Sequence, residues 1–337
     1  MTSPYQADEH RYQSLAYRRC GHSGLRLPAL SLGLWHNFGA DADLHACRQM
    51  LCRAFDLGIT HFDLANNYGP PPGSAESTLG ILLRRDLAAY RDELILSSKA
   101  GYIMWPGPYG DGGSSKYLFA SLHQSLKRMQ VDYLDIFYHH RPDPNTPLEE
   151  TMAALALMVK QGKALYVGLS NYPAELARRA SALLADLGVR CLINQVRYSL
   201  LDRHIEPETL PACDALGMGC IAFSPLAGGL LSDKYLAGIP ADSRAASASP
   251  FLRESDITPA RRELLLRLNA LAAEGGRSLS DLALQWVLRT PTLTSALMGA
   301  SRVSQIEAAV SALQQPPLSP DELAAIEALL SQAAAAE

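Results

Sequence analysis

Short apolar runs alternate with longer segments of helical periodicity about eight times along this chain of 337 residues. The short runs are almost continuously apolar, which is typical of strands buried on both faces of a parallel sheet. A strand followed by a helix, repeated about eight times, predicts an α/β fold in which parallel strands close into a (β/α)8 TIM barrel. The predicted strands are Leu30–Trp35, Thr60–Leu64, Leu94–Lys99, Tyr133–His139, Ala164–Leu169, Cys191–Gln195, Gly219–Phe223 and Thr294–Met298.

The segments between these strands predict helices at Asp43–Leu57, Lys116–Met129, Pro147–Lys160, Pro173–Leu187 and Ser280–Arg289. A doubly wound open sheet is the alternative to a barrel, and it is weakened because no GxGxxG motif follows any predicted strand. We expect an N-terminal tail at 1–16, one barrel domain at 17–331 and a C-terminal tail at 332–337. Two long irregular segments, 100–115 and 227–258, begin at strand C-termini, the face where barrel enzymes carry their active sites.

Composition argues against several classes of partner. The formal net charge is −4 and the pI is near 6.1, so we expect neither nucleic acid nor an acidic membrane surface as the main partner. The first ten residues are polar and acidic, unlike a secretory signal, and no apolar run approaches the roughly 20 residues needed to cross a bilayer. Six cysteines without CxxC spacing predict buried free thiols in a reducing compartment. We therefore expect a cytoplasmic protein without a metal site.

Four ionisable groups lie at or just beyond the ends of consecutive predicted strands. Asp63 ends the second strand and Tyr68 follows it, Lys99 ends the third, and His140 follows the fourth. A free tyrosine has a pKa of about 10, which is high for acid–base catalysis at neutral pH, and a nearby ammonium lowers that pKa. We expect Lys99 to lower the pKa of Tyr68, Asp63 to keep Lys99 charged, and His140 to donate a hydrogen bond to a substrate carbonyl oxygen.

Each of these residues alone has an ordinary structural explanation, such as a turn cap, a solvated charge or a packed loop aromatic. A metal-dependent barrel hydrolase using Asp135, His139 and His140 is a further alternative. It is weakened because adjacent strand residues point to opposite faces and no cysteine or carboxylate cluster completes a ligand set. Four such groups in order on consecutive strands favour acid–base chemistry on a carbonyl.

Eight motifs in the chain agree in order and spacing with the aldo-keto reductase superfamily, which the chain resembles from about Tyr17 to its C-terminus. Within that superfamily it is most similar to the branch that contains the potassium-channel β-subunits and the bacterial L-glyceraldehyde-3-phosphate reductases. The motifs are SLGLW, GITHFDLANNYG, LILSSKAG, YLDIFYHHRPDPNTPLEE, GKALYVGLSNY, INQVRYSLLDR, CIAFSPLAGGLLSDKY and ALMGASRVSQIE.

The resemblance implies a catalytic tetrad of Asp63, Tyr68, Lys99 and His140, and NADPH bound in an extended pose across the barrel mouth. Its carboxamide would be held by Ser170, Asn171 and Gln195, and Phe223 would stack under the nicotinamide. The full implied cofactor set is Gly33, Trp35, Asp63, Ser170, Asn171, Gln195, Phe223, Ser224, Pro225, Leu226, Ala227, Gly228, Lys234, Arg244, Gly299, Ser301 and Gln305. Candidates for the substrate wall are Trp35, Tyr68, Tyr102, Met104, Trp105, His140 and Arg141.

One departure from the family pattern concerns Ala308 and Ala309, which stand where the family usually has a Glu-Asn pair that contacts adenine. Alanine cannot form those hydrogen bonds, so NADPH affinity is expected to be lower or the adenine to be held by packing. NADPH is still preferred over NADH, because Lys234, Arg244 and Ser301 suit a 2′-phosphate.

The predicted function is NADPH-dependent reduction of small aldehydes such as glyceraldehyde 3-phosphate or methylglyoxal, with the proton from Tyr68. The alternative is a cofactor-sensing regulatory module like the channel β-subunits, in which turnover is incidental. His140 favours the enzyme, since those subunits usually carry Asn at this position. The resemblance also implies a homo-tetramer or homo-octamer.

Overall fold

Eight parallel strands form a closed barrel at the centre of the molecule. The computed structural model describes residues 5–240, 245–246 and 252–334. The eight barrel strands follow one another around the barrel in chain order, and the last pairs with the first to close it. The predicted barrel is confirmed, and all eight predicted strands are present. The strands are β1 Tyr17–Arg19, β2 Arg26–Pro28, β3 Leu30–Gly33, β4 His61–Asp63, β5 Ile95–Ala100, β6 Leu134–His139, β7 Ala164–Ser170, β8 Cys191–Arg197, β9 Gly219–Phe223 and β10 Leu293–Met298.

Helices surround the barrel, and the five that the sequence predicts are all present. The first illustrates their design, because the Asp43 carboxylate accepts hydrogen bonds from the amides of His45 and Ala46 and so caps the helix. Gly58, with φ +84°, turns the chain just beyond its C-terminal end. The helices are α1 Leu44–Asp56, α2 Ser74–Leu82, α3 Ser115–Met129, α4 Leu148–Lys160, α5 Ala174–Asp186, α6 Thr209–Ala215, α7 Pro259–Glu274, α8 Leu279–Val287, α9 Val303–Gln314 and α10 Pro320–Ala334.

The apolar core has two layers. The larger lies between the strands and the helices, and the smaller fills the barrel, where Tyr138, Ile193 and Ile221 pack together from three strands. Cys20 and Leu27, both fully buried, belong to the inner layer. They come from the antiparallel hairpin of β1 and β2, which the sequence did not predict. The hairpin therefore covers the N-terminal end of the barrel, and the site is left at the opposite end.

The terminal segments contact the barrel domain. The Tyr5 hydroxyl donates a 2.6 Å hydrogen bond to the Asp56 carboxylate, and the Ala7 amide donates to the Tyr90 hydroxyl. At the other end, α10 continues across the boundary that we predicted at residue 331, while residues 335–337 lie outside the described part. All six cysteines are buried and free, as predicted. Among the described residues, no helix combines the length and apolarity that crossing a bilayer requires.

The C-terminal ends of the strands converge on one mouth, which the two long irregular segments flank. Residues 101–114 follow β5 and contain neither helix nor strand. The segment after β9 contains the short 3₁₀ turns Ala227–Gly229, Asp233–Tyr235 and Glu254–Asp256 within its described parts. The fold thus places rigid strand ends beside two irregular loops.

Candidate active site

A buried ion pair forms the floor of the mouth. Asp63 and Lys99 are both 0% exposed, and the Lys99 Nζ lies 2.5 Å from the Asp63 Oδ2. The ammonium also donates to the Leu64 carbonyl at 2.6 Å, while Asp63 Oδ1 accepts hydrogen bonds from Ser97 Oγ at 2.6 Å and from Gln195 Nε2 at 3.2 Å. Both charges are therefore compensated, which a charge removed from water requires.

The Tyr68 ring lies directly above this pair. The Lys99 Nζ is 5.1 Å from the centroid of that ring. The Trp35 ring stacks on Tyr68 at 5.1 Å and an interplanar angle of 21°, and the His140 ring meets Tyr68 edge-on at 5.9 Å. The structure thus brings together the four residues that the sequence predicts as a tetrad, from the ends of β4, β5 and β6 and the loop after β4.

One expectation about this tetrad is wrong in direction. We expected Lys99 to lower the pKa of Tyr68, whereas burial and then the Asp63 charge raise that pKa well above its ordinary value. Burial lowers the pKa of Lys99, although the Asp63 carboxylate opposes that change. The physical reason is that the buried phenol would lose the hydration that a charged phenolate needs, and the adjacent Asp63 carboxylate disfavours a second negative charge. Tyr68 is therefore a protonated phenol at neutral pH, which is the form that a proton donor needs.

His140 is held as a neutral imidazole. Burial, followed by the Lys99 charge, lowers the pKa of His140 well below its ordinary value. Its Nδ1 is buried without a hydrogen-bond partner among the described residues. The Tyr102 ring meets the His140 ring edge-on, with 4.7 Å between the ring centroids. His139 is placed differently, because its Nδ1 lies 2.6 Å from the Tyr172 hydroxyl. Of the two neighbouring histidines, His140 is the one beside Tyr68.

The geometry does not support the metal-dependent alternative. The Asp135 carboxylate accepts a hydrogen bond from the Leu96 amide and pairs with Arg91 at 2.9 Å. In the described part of the chain, no three His, Cys, Asp or Glu side chains are grouped in a way that could hold a metal ion. Asp135, His139 and His140 thus do not form a ligand set.

Side chains that can hydrogen-bond to a carboxamide lie beside the tetrad, at the C-terminal ends of β7 and β8. Asn171 adopts φ +59° and its side-chain amide donates to Ser170 Oγ and to the His140 carbonyl, each at 3.1 Å. Gln195 uses its Nε2 on Asp63, so its Oε1 is the atom that can accept from an amide N–H. Phe223 ends β9 and is half-buried. These side chains fit the nicotinamide end of a dinucleotide.

The backbone after β9 forms a turn that contains several residues with positive φ. Ser224, Ala227 and Gly228 have φ values of +55°, +48° and +70°. Only four non-glycine residues in the described chain have positive φ, and three of them, Asn171, Ser224 and Ala227, belong to the predicted cofactor surface. Such conformations cost on the order of 1–3 kcal/mol each and cluster at ligand sites. Successive residues in right-handed and left-handed helical conformations point their backbone N–H groups towards one point and so bind anions. This turn therefore fits a pyrophosphate.

The predicted adenosine end lies at the start of α9. The Ser301 amide and hydroxyl both donate to Gln305 Oε1, at 2.8 and 3.2 Å. Ala308 is exposed, whereas Ala309 is 5% exposed and packs in the outer core.

The two cationic residues predicted for the phosphates lie in the segment after β9. Lys234 is exposed in the turn Asp233–Tyr235. Arg244 lies outside the described residues.

Four predicted substrate-wall residues, three in the segment after β5 and Arg141 just after β6, divide into two groups. Met104 and Trp105 pack on the outer core, and Trp105 contacts the Tyr117 ring at 5.3 Å. Tyr102 and Arg141 face the mouth instead, with the Arg141 guanidinium 4.7 Å from the Tyr102 ring centroid. Trp105 therefore anchors the segment to α3.

The Arg141 guanidinium is held from two further sides. Its Nε donates to the Gly101 carbonyl at 2.7 Å, and its terminal nitrogen pairs with the Asp111 carboxylate at 3.1 Å. Together with Tyr102, these contacts place Arg141 one aromatic ring away from His140.

Sequence reasoning missed Ser97, which donates a hydrogen bond to Asp63, and His61, which contacts Ser97. Each stands two residues before a tetrad member on the same strand, Ser97 before Lys99 and His61 before Asp63. Residues i and i+2 of a strand share a face, so this period of two was the signal that could have found them.

The chain is similar to known proteins over nearly its whole length. Residues 29–331 match the Aldo/keto reductase family. The chain is 55% identical over 327 residues to the L-glyceraldehyde 3-phosphate reductase of Escherichia coli strain K12, a match that covers 95% of this chain and 94% of that protein. It is 36% identical over 329 residues to a probable voltage-gated potassium channel subunit beta of Oryza sativa subsp. japonica, with 94% and 97% covered. A putative subunit of the same kind from Schizosaccharomyces pombe is 32% identical over 330 residues.

Proposed function

The chain belongs to the aldo/keto reductase family, and we propose that it reduces L-glyceraldehyde 3-phosphate and related small aldehydes with NADPH. It is an oxidoreductase of that family. The observation that carries the proposal is the convergence of Tyr68, Lys99, Asp63 and His140 at the barrel mouth. The 55% identity to a reductase with this substrate in its name supports the choice of a triose phosphate.

Tyr68 is the proposed acid. Its raised pKa keeps the phenol protonated at neutral pH, and the alkoxide that develops on a reduced carbonyl is a stronger base than a phenolate. His140, neutral because its pKa is lowered, is proposed to donate a second hydrogen bond to the same oxygen. Bound NADPH supplies the hydride. The chain's own part is to orient the carbonyl, donate the proton and shield the site from water.

NADPH rather than NADH is proposed as the cofactor. The turn of Ser224, Ala227 and Gly228 would hold the pyrophosphate, while Ser170, Asn171 and Gln195 would hold the carboxamide. Lys234 and Arg244 are the cations proposed for the phosphates. Because Ala309 packs in the core and cannot hydrogen-bond to adenine, Ser301 and Gln305 are the polar groups proposed for the adenosine end. Six buried free thiols support a reducing, cytoplasmic location.

Arg141 is the proposed ligand of the substrate phosphate. Guanidinium groups bind phosphate oxygens in pairs, and this one lies at the mouth beside Tyr102 and His140. An incoming phosphate would compete with the Asp111 carboxylate for the same nitrogen.

A steady-state assay with NADPH and NADH side by side tests the proposal. We expect the highest kcat/KM for NADPH with L-glyceraldehyde 3-phosphate, followed by methylglyoxal and unphosphorylated glyceraldehyde. Failure to oxidise either cofactor with any aldehyde of this panel would rule out the reductase. Equal kcat/KM for the phosphorylated and unphosphorylated trioses would reject the substrate assignment alone.

A further inference from the structure

A chain of hydrogen bonds crosses the interior of the barrel below the tetrad. His61 Nδ1 lies 2.8 Å from Ser31 Oγ, and its Nε2 lies 2.9 Å from Ser97 Oγ. Ser31 Oγ is 2.7 Å from Ser295 Oγ, and Ser97 Oγ is 2.6 Å from Asp63 Oδ1. All five side chains are 0% exposed. This series of hydrogen bonds therefore runs from β10 through β3, β4 and β5 to the Asp63 carboxylate, which holds Lys99.

Counting donors fixes the direction of this chain. The ionised Asp63 carboxylate only accepts, so the single hydroxyl proton of Ser97 points to Asp63 Oδ1. Ser97 Oγ must then accept from His61, which requires a proton on Nε2. A neutral imidazole with its proton on Nε2 accepts at Nδ1, so Ser31 donates to it and Ser295 donates to Ser31 in turn. Every proton in the series points towards Asp63.

We propose that His61, fixed as the neutral Nε2–H tautomer by Ser31, and Ser97 are positioning residues that orient the Asp63 carboxylate for catalysis. This inference rests on the proposed function for its catalytic consequence and on the geometry alone for the tautomer. Neither residue reaches the substrate; both act through Asp63 and Lys99.

The physical effect is on the freedom of the carboxylate. Lys99 holds one Asp63 oxygen at 2.5 Å, and Ser97 holds the other at 2.6 Å, far more closely than Gln195 at 3.2 Å. Without the Ser97 hydroxyl, the carboxylate can rotate, and the ammonium beneath the Tyr68 ring moves with it. A hydrogen-bond chain whose donors are aligned also strengthens each of its bonds. Burial lowers the pKa of His61 to about 4, so the imidazole stays neutral throughout the neutral pH range.

The tautomer is tested directly by 15N NMR of the histidine-labelled protein without cofactor or substrate, with the His61 signals assigned by their loss in His61→Gln. We expect a protonated Nε2 and an unprotonated Nδ1 at neutral pH, and a changed Nε2 signal in Ser97→Ala. A proton on Nδ1, or an imidazolium at neutral pH, would overturn the proposal. This measurement needs no activity, so it stands or fails separately from the proposed function.

The catalytic consequence is tested with a matched set of variants on β5. We expect Ser97→Ala to lower kcat about 10-fold, with the aldehyde KM and NADPH binding within about 2-fold of wild type. Ser97→Thr keeps the hydroxyl and should recover most of the lost kcat. Ser98→Ala is the control, because Ser98 is equally buried and its hydroxyl donates to Glu76 away from the tetrad.

A purely structural role for Ser97 predicts a different pattern. In that case Ser97→Ala and Ser98→Ala would lower the free energy of unfolding by similar amounts and would have the same kcat. Ser97→Thr would then have no higher kcat than Ser97→Ala. Either result would overturn the positioning role in an enzyme whose wild type reduces aldehydes. A wild type with no reductase activity would instead reject the proposed function and leave the tautomer result intact.

Discussion

The two sides of the barrel mouth are built in opposite ways. On one side Asp63 and Lys99 are 0% exposed, lie on strands and are held by hydrogen bonds from several directions. On the other side, the segment 101–114 has no regular structure and exposes 69% of Ile103 and 60% of Tyr109. From this difference we propose that the strand ends position the catalytic groups and that the segment determines which aldehyde reaches them.

The largest expected effect is that of Tyr68→Phe, which removes the proposed acid from the rigid side. We expect kcat for aldehyde reduction to fall by about 10²–10⁴-fold, the usual contribution of a general acid. The phenyl ring keeps the stacking on Trp35, so the fold and NADPH binding should be unchanged. Turnover is measured by NADPH absorbance, and binding by quenching of protein fluorescence.

Wild-type turnover in Tyr68→Phe would contradict the tetrad and, with it, the idea that the strand side performs the chemistry. Loss of NADPH binding along with turnover would assign Tyr68 to cofactor binding instead. Only a loss of kcat with unchanged NADPH affinity supports the view that the strand side of the mouth performs the chemistry.

The fold could be predicted from the sequence because strands buried on both faces leave a continuous apolar signal. The hairpin of Tyr17–Arg19 and Arg26–Pro28 was missed, since its two short strands contain arginines and lack the continuous apolar run that marks the barrel strands. The tetrad could be predicted as a set because its members lie at successive strand ends. The direction of the Tyr68 pKa could not, because it depends first on how completely the phenol is buried and then on the nearby Asp63 charge, and no spacing in the sequence encodes either.

An intermediate effect is expected for Arg141→Met, on the substrate side of the comparison. Loss of a charged hydrogen bond to the substrate phosphate should raise KM for glyceraldehyde 3-phosphate about 10-fold. The expected rise in KM is no larger than this because Arg141 is partly exposed and paired with Asp111. KM for unphosphorylated glyceraldehyde should stay within about 2-fold of wild type, which a comparison of the two substrates measures.

Asp111→Asn is the matched control for Arg141→Met, since it removes the competing carboxylate and keeps the guanidinium. We expect KM for the phosphorylated substrate to stay the same or fall. A rise in KM in both variants would show that the Arg141–Asp111 pair holds the segment in shape and does not bind phosphate.

The smallest expected effect is that of Tyr109→Ser, at the exposed tip of the segment. Because 60% of Tyr109 is in contact with water, the change should alter the free energy of unfolding by no more than about 0.5 kcal/mol, which urea denaturation measures. The active-site geometry should survive, because Trp105 holds the segment against Tyr117. We therefore expect kcat to stay within about 2-fold of wild type, with Ile103→Ser as a second exposed-site control. A fall in kcat comparable to that of Ser97→Ala would mean that the tip of the segment reaches into the chemistry, and the division between a rigid catalytic side and an adaptable substrate side would no longer hold.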